Sequence, residues 1–325
     1  MDRVRNLADT RGYRRISRYL QIARLDHWVK NIFVLPGLAS AAAFTPLTEP
    51  FWAGPAALLS TCLIASANYT INEFLDSSYD RHHPQKNRRP GALGLLDWRL
   101  VVPQYLFLAG IGITLALAIN IPLLIVSLVF LGMGILYNVP PLRTKDYPYF
   151  DVLSESLNNP IRFLFGWFAI NSYLLPPSSI LLAYWMGGAY LMAVKRYSEY
   201  RRIGDPERAK LYRKSFAAYS EKSLLLSAFF YAICAAFFIG IFLIKYKSEF
   251  VIMVPLFAAL FTWYLWIGLK PESAAQAPET LYQEHYFMLF AAIVFLLSIA
   301  LFYANIPLLA LLTDTKLISI RNLRY

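Results

Sequence analysis

Asn68, Asn72, Asp76 and Asp80 stand four residues apart in the stretch NYTINEFLDSSYDRHHPQKNRRP, Asn68 to Pro90. On a helix that spacing stacks them as one stripe, drifting about 40° per step. Glu73, three before Asp76, shares the face. The positions between them, Tyr69, Ile71, Phe74, Leu75 and Tyr79, are mostly apolar or aromatic. Carboxylates this close repel unless protons or a cation compensate them. Hard oxygen donors beside a basic segment point to Mg²⁺, which takes one or two carboxylates and completes its shell with substrate phosphates. Arg81, Lys86, Arg88 and Arg89 follow at once and supply counter-charge for phosphate. A solvated helix end would explain any one of these residues. Their arrival together at the edge of an apolar run favours a site.

Other polar groups cluster at similar edges. Tyr137-Asn138-Val139-Pro140-Pro141-Leu142-Arg143-Thr144-Lys145 stops a helix at its prolines and tethers two cations at the border. Glu155, Asn158, Asn159 and Arg162 sit inside another apolar run, as a structural ion pair or as a cavity wall touching substrate. Lys195-Arg196-Tyr197-Ser198-Glu199 offers two cations and one carboxylate, a set that suits a phosphate better than a second metal cradle. Asp26-His27-Trp28-Val29-Lys30-Asn31 places an indole at the interface, with Lys30 free to snorkel or to bind a lipid phosphate. Arg208, Lys210, Arg213 and Lys214 read as a solvated amphipathic helix, and His82 and His83 lack a spaced partner for metal ligation. No Walker, G-x-S-x-G or H-E-x-x-H arrangement appears, so no covalent nucleophile is expected.

The elements that carry these groups are membrane helices. Of 325 residues, 58% are hydrophobic and only 16% charged, where a soluble chain carries about 25% charged residues. Mean hydropathy is +0.44. Nine apolar runs are predicted to span, at Trp28–Phe44, Phe51–Phe74, Leu100–Ile119, Pro122–Leu136, Val152–Ile170, Ile180–Val194, Leu224–Ile244, Phe250–Leu269 and Phe287–Ile306. They form a single polytopic domain, residues 1–325, with a basic arm over 1–30 and a tail over 307–325. The arm lacks a short apolar core, so no cleavable signal is expected. Lys and Arg crowd the arm and the connections after the second, fourth and sixth runs, and are missing after the first, third and fifth. The positive-inside rule therefore puts the N-terminus and every chemistry-rich loop in the cytoplasm and the tail outside. The net charge of +11 follows from those loops and calls for no nucleic-acid partner. Cys62 and Cys234 both lie in apolar runs and suggest neither a disulfide nor a thiolate metal site.

This pattern resembles the UbiA superfamily of intramembrane prenyltransferases, in the nine runs, in Asn72-Glu73-x-x-Asp76-x-x-x-Asp80-Arg81, and in Tyr137 to Lys145. The resemblance implies an all-α bundle with a lipid-open central cavity and a cytoplasmic, Mg²⁺-dependent site for a diphosphate donor. The metal would be held by Asn72, Glu73, Asp76 and Asp80, with Arg81, Lys86 and Arg89 neutralising developing charge. The family often has Asp where this chain has Glu73. Its second aspartate-rich motif is replaced here by Lys195-Arg196-x-x-Glu199. With Trp28-Val29-Lys30-Asn31, that change is similar to the branch typified by decaprenyl-phosphate phosphoribosyltransferase. The branch implies 5-phosphoribosyl-1-diphosphate as donor and a polyprenyl phosphate as acceptor, in a cell membrane whose lipids surround one chain or a homo-oligomer. Lys195 and Arg196 would then hold the sugar's 5-phosphate, with Glu199 beside them in the substrate-binding set. Lys30 and Arg162 would face the lipid phosphate, and Asn31, Tyr137, Arg143 and Lys145 would line the substrate site. An aromatic or quinone prenyltransferase on the same scaffold is the alternative. A transporter is the third reading, against which the one-sided acidic cluster speaks, since transport sites lie near the midplane.

Overall fold

The computed structural model describes residues 16–83, 86–307 and 309. Arg3, Arg5, Arg11, Arg14 and Arg15 of the arm, and Lys316, Arg321 and Arg324 of the tail, lie outside the described residues. Among those described, the regular structure is helical. A 3-10 stretch, Leu25–Val34, leads into α1, Leu35–Phe44, and α2 follows over Ala53–Leu75. Then come α3, Trp98–Ile119, α4, Ile121–Asn138, and two short helices, α5, Phe150–Ser156, and α6, Asn158–Phe168. The chain continues through α7, Ser178–Ile203, α8, Pro206–Tyr212, α9, Glu221–Tyr246, α10, Val254–Leu269, and α11, His285–Tyr303.

Local chemistry sets the ends. Asp97 caps α3 by accepting from the Arg99 amide, and Asn120 caps α4 from Leu123. Ser220 and Ser223 close a reciprocal capping box on α9. Gly204 stops α7 in the left-handed region, φ 68°, where a Cβ would be strained.

Five helical segments are long and apolar enough to cross a bilayer: Trp98–Ile119, Ile121–Asn138, Glu221–Tyr246, Ser248–Gly268 and His285–Tyr303. Large apolar side chains such as Phe107, Phe229, Phe230 and Leu296 point outward from them, exposed by 60% or more. An aqueous surface would not tolerate that belt, and a multi-pass membrane protein requires it.

The other four runs differ from a plain span. The first is 3-10 up to Val34, and there the Trp28 indole donates to Ser66 Oγ at 2.9 Å. The second, α2, carries Asn68, Asn72 and Glu73 toward its end. The fifth is broken at Leu157, two residues before Asn159-Pro160, because proline supplies no amide to the preceding turn and fits best at a helix start. The sixth runs past Val194 to Ile203, lifting Lys195, Arg196 and Glu199 on rigid helix.

Small residues let the site-bearing helices approach. Ala41, Ala57, Ala65 and Ala67 are buried in the core with Val34, Phe163, Phe165 and Trp167. Where α1 meets α6, a Cβ at Gly37 would collide with the Phe163 carbonyl and one at Gly166 with the Val34 carbonyl. Neither atom is a movable side chain. We expect Gly166→Ala to cost ~1–3 kcal/mol by overpacking. Gly132→Ala, whose Cβ would meet nothing within 4 Å, should stay within ~0.5 kcal/mol of wild type. Thermal unfolding in detergent checks both, and equal midpoints would refute the close contact.

Candidate active site

The stripe read from spacing survives the end of its helix. Asp76 caps α2, its amide bonded to the Asn72 carbonyl at 2.9 Å. A single turn, Ser77–Asp80, carries on, with the Asp80 amide on the Asp76 carbonyl at 2.9 Å. Asn72, Asp76 and Asp80 therefore line one cavity of about 680 Å³, shared with Lys195 and Arg196 from α7. Phe33, Phe130, Met133, Leu191 and Phe261 supply much of the apolar lining.

Asp76 is the junction of the acidic wall. Its Oδ1 accepts from Arg143 Nη2 at 2.8 Å and from Lys145 Nζ, and its Oδ2 from Asn72 Nδ2 at 2.9 Å. Asn138, the last residue of α4, accepts from both Asn72 Nδ2 at 2.6 Å and Lys145 Nζ at 2.7 Å. The loop after α4 is thereby folded back onto α2. Asp80 accepts from Arg89 Nη1 at 2.9 Å. Burial pushes the Asp76 carboxyl up, but Lys145 and Arg143 outweigh it and leave the group below the usual carboxylate range. Asp80 ends up raised: burial outweighs Lys86 and Arg89, and the nearby charges of Asp76 and Glu73 add to it. Burial also lowers the Lys145 ammonium to about 8 in spite of Asp76.

The opposite wall is basic and tightly braced. Lys86 Nζ reaches Glu199 Oε1 at 3.1 Å and the Tyr212 hydroxyl, so the loop after α2 touches α7 and α8. Arg196 is enclosed by Asp151 Oδ2 at 3.2 Å, Glu199 Oε2 at 2.9 Å and the Tyr137 hydroxyl at 3.0 Å. Asp151 is wholly buried and also accepts from Ser215 Oγ and Tyr219 Oη. Lys195, one position earlier, lines the cavity and makes no hydrogen bond or ion pair with the described residues.

Not every predicted residue joins this hollow. Glu73 is buried behind it, paired with Arg24 and 3.9 Å from Arg89, under the backbone of Gly91. Arg81 turns outward and donates to the Ala92 carbonyl at 2.9 Å. Asn31 is buried off the cavity, accepting from Arg162 Nε at 2.9 Å and donating to Cys62 Sγ at 3.1 Å. Lys30, Lys86, Arg89, Tyr137, Arg143, Lys145, Arg162 and Glu199 all line the cavity. Glu155 and Arg162 form no ion pair with each other: Arg162 lies over the Phe130 ring, 5.2 Å from its centroid.

Sequence reasoning missed four groups. Arg213, expected in solvent, lines the cavity and donates to the Tyr137 hydroxyl at 3.4 Å. Arg24, His83 and Tyr212 line it too, the His83 ring tilted against that of Tyr212 with centroids 4.5 Å apart. Burial, with Lys86 nearby, drives the His83 imidazole down to about 3, so it stays neutral. Lys214 remains exposed, reaching Asp146 at 3.3 Å, and Arg208 is exposed as expected. The signal for Arg213 was the aromatic run Tyr212, Phe216 and Tyr219, a buried face at helical spacing.

A hard cation fits the acidic wall. Asp76, Asp80 and Asn72 offer oxygen donors only, and Asp80 is raised partly by its acidic neighbours, which a positive ion would relieve. Among the described residues no group of three or more His, Cys, Asp and Glu is placed to hold a metal by itself. The donor set therefore suits an ion that shares its shell with water and phosphate oxygens.

Ten Lys and Arg side chains line the cavity against five Asp and Glu. The surplus positive charge can hold a strongly anionic ligand beside an apolar one.

The profile of the UbiA prenyltransferase family matches residues 32–291. The nodulation protein NoeC of Azorhizobium caulinodans is 30% identical over 193 residues, covering 58% of this chain and 60% of NoeC. A decaprenyl-phosphate phosphoribosyltransferase of Mycolicibacterium smegmatis is 31% identical over 220 residues, covering 64% of each. The chain thus spans 60 to 64% of the length of these two relatives. Among solved structures, a UbiA homolog from Archaeoglobus fulgidus bound to GPP and Mg²⁺ superposes with a TM-score of 0.67 at 22% identity, covering 88% of this chain and 98% of that one. That likeness establishes a shared fold. The family match takes in both the acidic and the basic wall, and the chain belongs to the UbiA prenyltransferase family.

Proposed function

We propose that this chain transfers the 5-phosphoribosyl group of 5-phosphoribosyl-1-diphosphate to a polyprenyl phosphate, releasing diphosphate, with Mg²⁺ as cofactor. The observation that carries this reading is the excess of cations in the cavity, above all Lys195, whose ammonium makes no hydrogen bond or ion pair with the described residues. A prenyl diphosphate brings one diphosphate. A phosphoribosyl diphosphate brings a further phosphoryl group, and its acceptor lipid another. The phosphoribosyltransferase relative at 31% identity supports the same choice.

Asp76, Asp80 and Asn72 would hold the metal, which would supply positive charge to offset that of the departing diphosphate. Lys86 and Arg89 stabilise the charge that develops there. Lys195 and Arg213 hold the 5-phosphate, while Arg196, Glu199 and Tyr137 keep those cations in place. Glu73 and Arg81 position the loop instead of touching ligand. Arg143 and Lys145 fix Asp76. Lys30 and Arg162 take the lipid phosphate, with Asn31 orienting Arg162. A lipid phosphate oxygen attacks the anomeric carbon as the bond to diphosphate breaks. The acceptor is already anionic, so no general base is needed. The basic loops support nine crossings with the site and N-terminus in the cytoplasm and the tail outside.

Prenyl transfer to an aromatic acceptor is the second reading, favoured by the fold neighbour bound to GPP and Mg²⁺. Purified protein, Mg²⁺, polyprenyl phosphate and labelled phosphoribosyl diphosphate should yield labelled lipid. Product formed only from prenyl diphosphate and an aromatic acid would replace our reading with that one. Asp76→Asn should lower kcat by ~10²–10³-fold in protein that still inserts and purifies. Undiminished turnover would remove Asp76 from the mechanism. Lys195→Ala should raise the KM for the sugar donor ~10–100-fold, the worth of a charge-assisted contact, and leave that for the lipid unchanged. Equal rises would make Lys195 structural.

A further inference from the structure

Five carboxylates line the cavity, and four of them are paired: Asp76 with Arg143 and Lys145, Asp80 with Arg89, Asp146 with Arg143, and Glu199 with Lys86 and Arg196. Glu155 is the exception. It stands half-buried in the last turn of α5 and makes no hydrogen bond or ion pair with the described residues. Three residues on, past the break at Leu157, the Asn158 side chain lines the same cavity, and its Oδ1 is buried without a donor. With no internal bond to hold χ2, that amide can turn either its oxygen or its NH₂ toward a ligand.

The kind of ligand follows by chemistry. A carboxylate repels phosphoryl oxygens, and an isoprenoid chain has nothing to donate to it. Hydroxyls do: O–H to carboxylate is a strong, short bond, and two adjacent hydroxyls match its two oxygens. The location agrees. Glu155 lies within electrostatic reach of Tyr137, whose hydroxyl receives Arg196 at 3.0 Å and Arg213 at 3.4 Å. A pentose whose 5-phosphate rests on that basic wall and whose diphosphate rests on the acidic wall has its ring between them.

We propose that Glu155 and Asn158, at the α5–α6 break, form the subsite that binds the 2- and 3-hydroxyls of a pentosyl diphosphate donor, and that they set the preference for sugar over prenyl donors; this rests on the pentosyl reading above. A prenyl diphosphate leaves the carboxylate desolvated and unpaired, which counts against its binding.

The test compares kcat/KM for 5-phosphoribosyl diphosphate with its 2-deoxy and 3-deoxy analogues, using full-length wild type, Glu155→Gln and Asn158→Ala. The wild type should favour the complete sugar by ~10–100-fold, and both variants should bring that ratio toward one while the KM for polyprenyl phosphate holds. A ratio that survives in the variants overturns the subsite, as does a wild type that uses all three donors equally. Should Glu155→Gln fail to fold, Asn158→Ala carries the comparison. No transfer from any pentosyl donor removes the underlying reading, and the subsite with it; equal use of all three removes the subsite alone.

Discussion

A carboxylate at the membrane edge, held by two cations from a distant loop, organises this molecule. Asp76 comes from the end of α2, and Arg143 and Lys145 from the connection after α4, nearly 70 residues on. Removing one member of such a buried pair strands a charge at a cost of about 3–5 kcal/mol. The same contact draws in Asn72 and Asn138, so the last turns of α2 and α4 and the loop after α4 become one wall. That wall is what allows charged groups to stand preorganised beside hydrocarbon.

The cost of burying charge also explains the bracing of the other wall. Glu199 sits between Lys86 and Arg196, and Arg196 between Glu199 and Asp151. Alternation of sign along this chain satisfies nearly every buried charge within the protein. What is left over is mainly positive, with Glu155 the one cavity carboxylate outside the alternation. A low-dielectric surround magnifies that excess, and an anionic ligand entering from water meets a field that the bulk solvent would have screened. Apolar side chains of the same cavity, Met133 and Leu191 among them, give no such field. One hollow thus offers two solvents to two parts of a reaction.

Much of this was legible in the sequence because it depends on local periodicity. The i, i+4 stripe of Asn72, Asp76 and Asp80 is a property of one helix, and so is the apolar run that precedes it. Residues whose place depends on how loops fold back were not legible. Glu73 shares the face of Asp76 by spacing, but the returning loop at Gly91 and the cation of Arg24 claim it from behind. Arg213 looked solvated because α8 reads as a polar surface helix; only its return over Tyr137 brings it inward. The break at Leu157 hid inside a continuous apolar run, where hydropathy reports length and says nothing of a proline's missing amide.

Lys195 and Arg196 show why residue type alone could not assign these roles. Neighbours on a helix point about 100° apart, so two adjacent cations on α7 meet different surroundings. Arg196 turns to Asp151, Glu199 and Tyr137, where its planar fork satisfies three oxygens at once. A lysine there could not span that set. Lys195 turns to the open cavity, where a compact ammonium on a flexible stem can follow a ligand. The order of the pair therefore matters: exchanging them would leave three buried oxygens under-satisfied on one side and a rigid fork without a partner on the other. A basic dipeptide that composition treats as two equal charges is, in the folded wall, one strut and one hand.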